Sequence, residues 1–132
     1  MSSNRKLLIV DDDPGMRTQL KWGFDSFEVH TAEDSINALE QLSKHQPPVV
    51  TLDLGLPPDE EGTQEGFAIL KLILEKAPET RVVVVSGTTD SSSAKKAVDS
   101  GAFEFYPKPV DIDQLNQIVE RAYQSFKESR KS

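Results

Sequence analysis

Five short apolar runs recur along the chain: LLIV at 7–10, FEV at 27–29, VVTLDL at 49–54, VVVV at 82–85 and FEFY at 103–106. Each predicts a strand, because β-branched and aromatic residues crowd into a few positions bounded by polar or turn residues. After each run the apolar spacing changes to that of a helix. Met16, Leu20 and Phe24 follow the first; Ile36, Leu39 and Leu42 the second; Phe67, Leu70, Ile73 and Leu74 the third. Ala94, Ala97 and Val98 follow the fourth, and Leu115, Ile118, Val119, Ala122 and Phe126 the fifth. Strand and helix thus alternate five times. That order predicts an α/β fold with a parallel sheet covered on both faces, since parallel strands need crossovers and prefer right-handed ones.

The punctuation agrees. Asp13-Pro14 reads as an N-cap with proline in the first helical turn, Gly101 stands just past the fourth helix, and QPP at 46–48 marks entry to the third strand. No internal repeat, low-complexity block or linker divides the sequence, so residues 1–132 are expected to form one domain. Its core is expected over about residues 5–126, with 127–132 (KESRKS) a frayed or continuing helix end.

Composition narrows the function. A chain of 132 residues can bury one substantial core, and without cysteine it has neither disulfides nor thiolate metal sites. No apolar run approaches the roughly 20 residues of a membrane span, and MSSNRK precedes too short an apolar run for a signal peptide. A soluble, cytoplasmic protein is expected. The net charge of −7 argues against direct contact with nucleic acid or an anionic membrane.

The third run raises a question of chemistry. Val49, Val50, Leu52 and Leu54 have the near-continuous apolar character of a strand covered on both faces, where an ionised Asp53 would cost several kcal/mol unless compensated. Asp53 must therefore stand at the strand exit or have partners. In a parallel sheet the functional crevice lies beyond the carboxyl ends of the strands. The first strand ends in Asp11, Asp12 and Asp13, the third in Asp53, the fourth in Ser86, and the fifth is followed by Lys108.

Asp13 is accounted for as a helix cap. Asp11 and Asp12 repel each other unless a cation intervenes, and an all-oxygen cluster suits Mg²⁺ or Mn²⁺. Zn²⁺ would want histidine or cysteine, and His30 and His45 read as surface residues without ligand spacing around them. Ser86 taken alone is a hydroxyl able to cap the turn at Gly87. Lys108, flanked by Pro107 and Pro109, is held in a fixed direction as a point charge for a phosphate or carboxylate. Together these residues suggest phosphoryl transfer onto Asp53. A cation on Asp12 and Asp53 would offset repulsion on one side, Lys108 on the other, and Ser86 would donate a hydrogen bond to a phosphoryl oxygen.

With LLIVDDD at 7–13, VVTLDLGLP at 49–57, VVVVSG at 82–87 and GAFEFYPKP at 101–109 in this order, the sequence resembles the CheY-like receiver domain of two-component response regulators. The resemblance covers essentially the whole chain. It implies a (βα)₅ flavodoxin-like three-layer sandwich with strand order 2-1-3-4-5, and a sensor histidine kinase or phosphotransfer protein as phosphoryl donor to Asp53. Asp12, Asp53 and the main-chain carbonyl of Gly55 would then ligate Mg²⁺. Asp11 would bind through water or orient the site. Ser86 and Lys108 would be the switch hydroxyl and lysine, and Phe105 would take the place of the aromatic that turns inward. The Lys108-Pro109 peptide bond would be cis. Such a domain catalyses only its own phosphorylation and dephosphorylation.

The resemblance also implies output and homodimerisation through the face of the fourth helix, fifth strand and fifth helix, where Gln117, Arg121 and Gln124 are the expected exposed positions. An output domain is not visible in this sequence. Segment 58–66 (PDEEGTQEG) is longer than the step typical of receivers and is acidic, with Asp59, Glu60, Glu61 and Glu65; it is either a tolerated surface loop or a gate beside the site. Together with FYPKPVDID it is similar to receivers of NtrC-like transcription activators. Two other readings compete: a phosphorylation-independent adaptor, and a haloacid-dehalogenase-type phosphatase, against which Gly55 stands where a second Asp is needed. A flavin-binding protein is weaker still, because the acidic strand ends would repel its phosphate.

Overall fold

The computed structural model describes residues 5–58, 62–87 and 91–131. Among them, strands and helices alternate as β1 (Lys6–Val10), α1 (Pro14–Gly23), β2 (Glu28–Ala32), α2 (Ser35–His45), β3 (Val49–Leu52), α3 (Gln64–Lys76), β4 (Arg81–Ser86), α4 (Ser91–Asp99), β5 (Glu104–Pro107) and α5 (Ile112–Lys131). The strands form one parallel sheet in the order β2-β1-β3-β4-β5. This is the doubly covered parallel sheet expected from the alternation, in the three-layer flavodoxin-like arrangement that the family resemblance implies.

Side-chain alternation along the strands divides the core in two. Leu8, Val10, Val50, Leu52, Val82 and Val84 point to the face covered by α2, α3 and α4, through Ala38, Leu42, Ile69, Ile73 and Ala97. Leu7, Ile9, Val49, Val83 and Val85 point to the other, covered by α1 and α5 through Leu20, Leu115, Val119 and Ala122. With both faces buried, β1, β3 and β4 have no need of polar alternation.

Local chemistry sets the ends of the elements. Asp13 accepts the Gly15 N–H at 2.9 Å with Pro14 opening α1, and Asp34 accepts the Asn37 N–H at 2.8 Å at the start of α2. Gln46, at φ 48°, closes α2, and Gly101, at φ 108°, turns the chain after α4. Helix α5 continues through residues 127–131. Its carboxyl half is tied to the sheet by Arg5, which bonds Glu120 at 2.6 Å and lies over the Phe27 and Tyr123 rings, and by Arg81, which donates to Ser125 Oγ at 3.0 Å.

Four sequence readings are corrected. The second strand is Glu28–Ala32 rather than 27–29: it is an edge strand with only Ala32 fully buried, and Phe27 belongs to the core just before it, edge-on to Tyr123. The third strand stops at Leu52, short of the end of the apolar run at 54, and Asp53 stands at its exit as expected. The fifth begins at Glu104 and ends at Pro107. Ile36 is 75% exposed and Val98 51% exposed, so neither anchors its helix; small Ala38 and Ala97 meet the sheet instead. Of the acidic segment, Asp59, Glu60 and Glu61 lie outside the described residues, while Glu65 opens α3 and accepts the Ser35 hydroxyl of α2 at 2.5 Å.

Helix α3 approaches the loop after β3 closely. A Cβ on Gly66 would lie 2.3 Å from Leu54 Cα and 2.5 Å from its carbonyl oxygen, so only glycine fits. Gly66→Ala is therefore expected to lower the unfolding free energy by about 2 kcal/mol or more in a urea titration. Ile36→Ala, on the exposed side of α2, is expected to change it by less than about 0.5 kcal/mol.

Candidate functional site

The strand order sets β1 beside β3 and β4 beside β5, so four strand exits open onto one crevice. The Asp53 N–H donates to the Val10 carbonyl at 2.9 Å, which fixes Asp53 next to Asp11. The Lys108 N–H donates to the Ser86 carbonyl at 2.8 Å, which extends the β4–β5 pairing by one step and brings lysine and serine alongside. Asp11, Asp53 and Ser86 are 2%, 8% and 3% exposed, so the two carboxylates have lost most of their water and need internal partners.

Asp11 is well provided for. Its Oδ1 accepts the Asp13 N–H at 2.9 Å, its Oδ2 lies 3.1 Å from Lys108 Nζ, and Arg17 of α1 donates to its main-chain carbonyl at 2.8 Å. Asp53 has less: its Oδ1 accepts the Gly55 N–H at 3.2 Å, and its Oδ2 is 3.6 Å from Lys108 Nζ. One carboxylate oxygen from each of Asp11, Asp12 and Asp53 lies within 4.8 Å of the others. Burial, followed by the charge of Asp11, pushes the Asp53 carboxyl above its ordinary value, with Asp12 adding to the rise; the Lys108 charge and the Gly55 N–H oppose it without cancelling it. For Lys108, burial acts to lower the ammonium pKa, but Asp11 and Asp53 outweigh it and hold the group above its usual value.

The lysine is positioned by its loop. Tyr106 Oη accepts the Asp111 N–H at 2.9 Å and lies 3.2 Å from Gln114 Oε1, tying the end of β5 to the start of α5 around Lys108. The Lys108-Pro109 peptide bond is cis, and so is Pro57-Pro58 beyond Asp53. Phe105 is half-buried against the core on the α2–α4 face. On α5, Gln117, Arg121 and Gln124 are exposed, and Arg121 pairs with Glu104 of β5 at 3.0 Å.

The fold therefore assembles Asp11, Asp12, Asp53, Ser86 and Lys108 at one sheet edge, with Gly55 beside them. The donors are hard carboxylate oxygens gathered within 4.8 Å of one another, a set that fits Mg²⁺ or Mn²⁺. Sequence reading missed Arg17 and Tyr106, whose roles depend on where a helix turn and a loop return. It also missed that the two histidines meet: the rings of His30 and His45 are stacked 3.5 Å apart, and His30 Nε2 lies 2.6 Å from Glu28 Oε2. Only the Glu28-x-His30 alternation on an edge strand hinted at this in the sequence.

The topology and the strand-end residues define a receiver module of two-component signalling. The chain belongs to the response regulator receiver domain family, which matches it over residues 7–120. It is 32% identical to regulatory protein AtoC of Escherichia coli strain K12, over 94% of this chain and 26% of that protein. It is likewise 32% identical to DNA-binding transcriptional regulator NtrC of the same strain, over 92% of this chain and 25% of that one. The solved receiver domain of NtrX from Brucella abortus aligns with a TM-score of 0.81 at 32% identity, covering 89% of this chain and 98% of that one. The chain thus spans about a quarter of the length of the curated relatives it matches. It is a receiver of the NtrC-like group, a signalling domain rather than an enzyme for a separate substrate. No helix among the described residues is long and apolar enough to cross a membrane.

The raised Asp53 pKa has a signed consequence. Ionising Asp53 costs stability: the cost is absent below the ordinary aspartate value, grows as pH rises through the window up to the raised native value, and is complete above it. Asp53→Asn is therefore expected to raise the thermal midpoint by a few degrees at pH 7 in chelator, and the gain should shrink as the pH is lowered toward 4. Thermal unfolding followed by circular dichroism across that range checks it.

Proposed function

We propose that the chain is a receiver domain that accepts a phosphoryl group on Asp53 from the phosphohistidine of a sensor histidine kinase or phosphotransfer protein, in a Mg²⁺-dependent reaction. The observation that carries this reading is the placement of Lys108 Nζ between Asp11 (3.1 Å) and Asp53 (3.6 Å), beside a carboxylate whose charge remains incompletely compensated. An Asp53 carboxylate oxygen attacks phosphorus, the P–N bond to the donor imidazole breaks, and an acyl phosphate forms on Asp53. Asp12, Asp53 and the Gly55 carbonyl would hold Mg²⁺, or Mn²⁺ in its place, and Asp11 would act through water or orient the cluster. When bound, the ion supplies positive charge that offsets repulsion between the carboxylate and the phosphoryl oxygens. Lys108 balances the charge from the other side, and the Ser86 hydroxyl donates to a phosphoryl oxygen.

Phosphorylation adds nearly two negative charges at the end of β3. Ser86 and Lys108 are drawn toward them, Phe105 turns inward on packing alone because it has no phenol hydroxyl, and the α4-β5-α5 face changes. That face is the surface for a phosphorylation-dependent homodimer, with Gln117, Arg121 and Gln124 exposed on it and the Arg121–Glu104 ion pair lying within it. Output passes to a domain or partner outside this stretch of sequence. The chain's net charge of −7 does not suit direct contact with DNA, and its working place is the cytoplasm.

Intact mass after incubation with acetyl phosphate and Mg²⁺ tests the reading. Wild type is expected to gain one phosphoryl group, with no gain in Asp53→Asn or in chelator, and Lys108→Ala should slow uptake by about 10²-fold or more. A wild type that gains nothing under any condition would instead be a phosphorylation-independent adaptor. Steady release of phosphate from small monoesters would point to a phosphatase.

A further inference from the structure

A second cluster of ligating side chains lies at the opposite end of the sheet. Glu28 and His30 are two apart on β2 and share a face of the strand; their partners in β1 are Lys6 and Leu8. Leu8 and Ala32 lie in the core beneath α2, so this face turns toward that helix. His45 is the last residue of α2, delivered to the same end by the return of the helix. The two imidazole rings stack with centroids 3.5 Å apart and planes 14° apart, His30 Nε2 lies 2.6 Å from Glu28 Oε2, and one ligand atom from each of the three lies within 4.8 Å of the others. Glu28 stands at the first residue of β2, whereas the acidic cluster flanks its last, where the Asp11 N–H bonds the Ala32 carbonyl. Along the strand, at about 3.3 Å per residue, Glu28 is thus about 13 Å and His30 about 7 Å from Ala32.

We propose that Glu28, His30 and His45 bind a borderline transition-metal ion, Zn²⁺ or a neighbour such as Ni²⁺, independently of the Asp53 site. Two imidazoles and one carboxylate form the His₂Glu donor set that Zn²⁺ takes with a fourth position left to water or an outside ligand. Tetrahedral donors at about 2.1 Å from the metal stand about 3.4 Å apart, so Glu28 and His30 would part slightly and His45 would close on them, each by side-chain rotation. The cluster is open to a hydrated ion: the Glu28 side chain is 59% exposed and His30 21%. Negative charge at the carboxyl end of α2 and the chain's net charge of −7 favour a cation; the charges of Lys6 and Lys44 oppose it. A bound ion would clamp the end of α2 to the first residues of the edge strand, stabilising the native state in proportion to occupancy.

The probe is Zn²⁺ itself, titrated into the untagged 132-residue chain by calorimetry with Mg²⁺ in excess to occupy the acidic cluster. One equivalent is expected to bind, with affinity lowered by about tenfold or more in His30→Gln, His45→Gln and Glu28→Gln, and unchanged in Asp53→Asn. The wild type supplies a readout that needs no variant to fold: the chain has two histidines, so both imidazole NMR signals should move or broaden together at one equivalent. Zn²⁺ uptake unaffected by the histidine substitutions, or histidine signals unmoved at millimolar Zn²⁺, would overturn the site.

Discussion

The arrangement of this domain turns on one electrostatic constraint, two buried carboxylates with a single ammonium between them. Lys108 reaches Asp11 at 3.1 Å and Asp53 at 3.6 Å, and Asp12 adds a third carboxylate to the same cluster. Asp11 has an N–H at 2.9 Å besides the lysine, whereas Asp53 has a longer one at 3.2 Å. Burial first, and then the charge of Asp11, hold the Asp53 carboxyl above its ordinary pKa. A site poised this way is ready for a cation and for a group that changes charge.

The rest of the fold serves that arrangement. Apolar strands buried on both faces provide a rigid platform whose exits can hold charge at its edge without water from behind. Gly66 lets α3 press against Leu54, fixing the loop that follows Asp53, and Tyr106 fastens the loop that carries Lys108. At the far end, Arg5 and Arg81 fasten α5. The surface expected to change on signalling is therefore anchored at one end and coupled to the site at the other.

Much of this was legible in the chain itself. VVVV at 82–85 could only be a doubly covered strand, Asp13-Pro14 announced a helix start, and Asp53 stood where an apolar strand had to be ending. What escaped depended on contacts between distant residues. Ile36 satisfied the helical spacing yet faces solvent, because the close packing of α2 on the sheet uses Ala38. Strand β2 was misplaced because an edge strand needs few apolar residues and Phe27 belongs to the core outside it. The meeting of His45 with His30 depends on the length of α2 and its return angle, which no local pattern encodes.

The most direct measurement is the titration of the Asp53 carboxyl by carbon NMR, assigned by its loss in Asp53→Asn, in chelator and then with saturating Mg²⁺. Without metal the pKa should lie above that of ordinary aspartates, and Mg²⁺ should drive it below them as the cation answers the residual charge. An ordinary pKa that Mg²⁺ leaves unmoved would contradict the view that Asp53 is an under-compensated carboxylate awaiting a cation and a phosphoryl group.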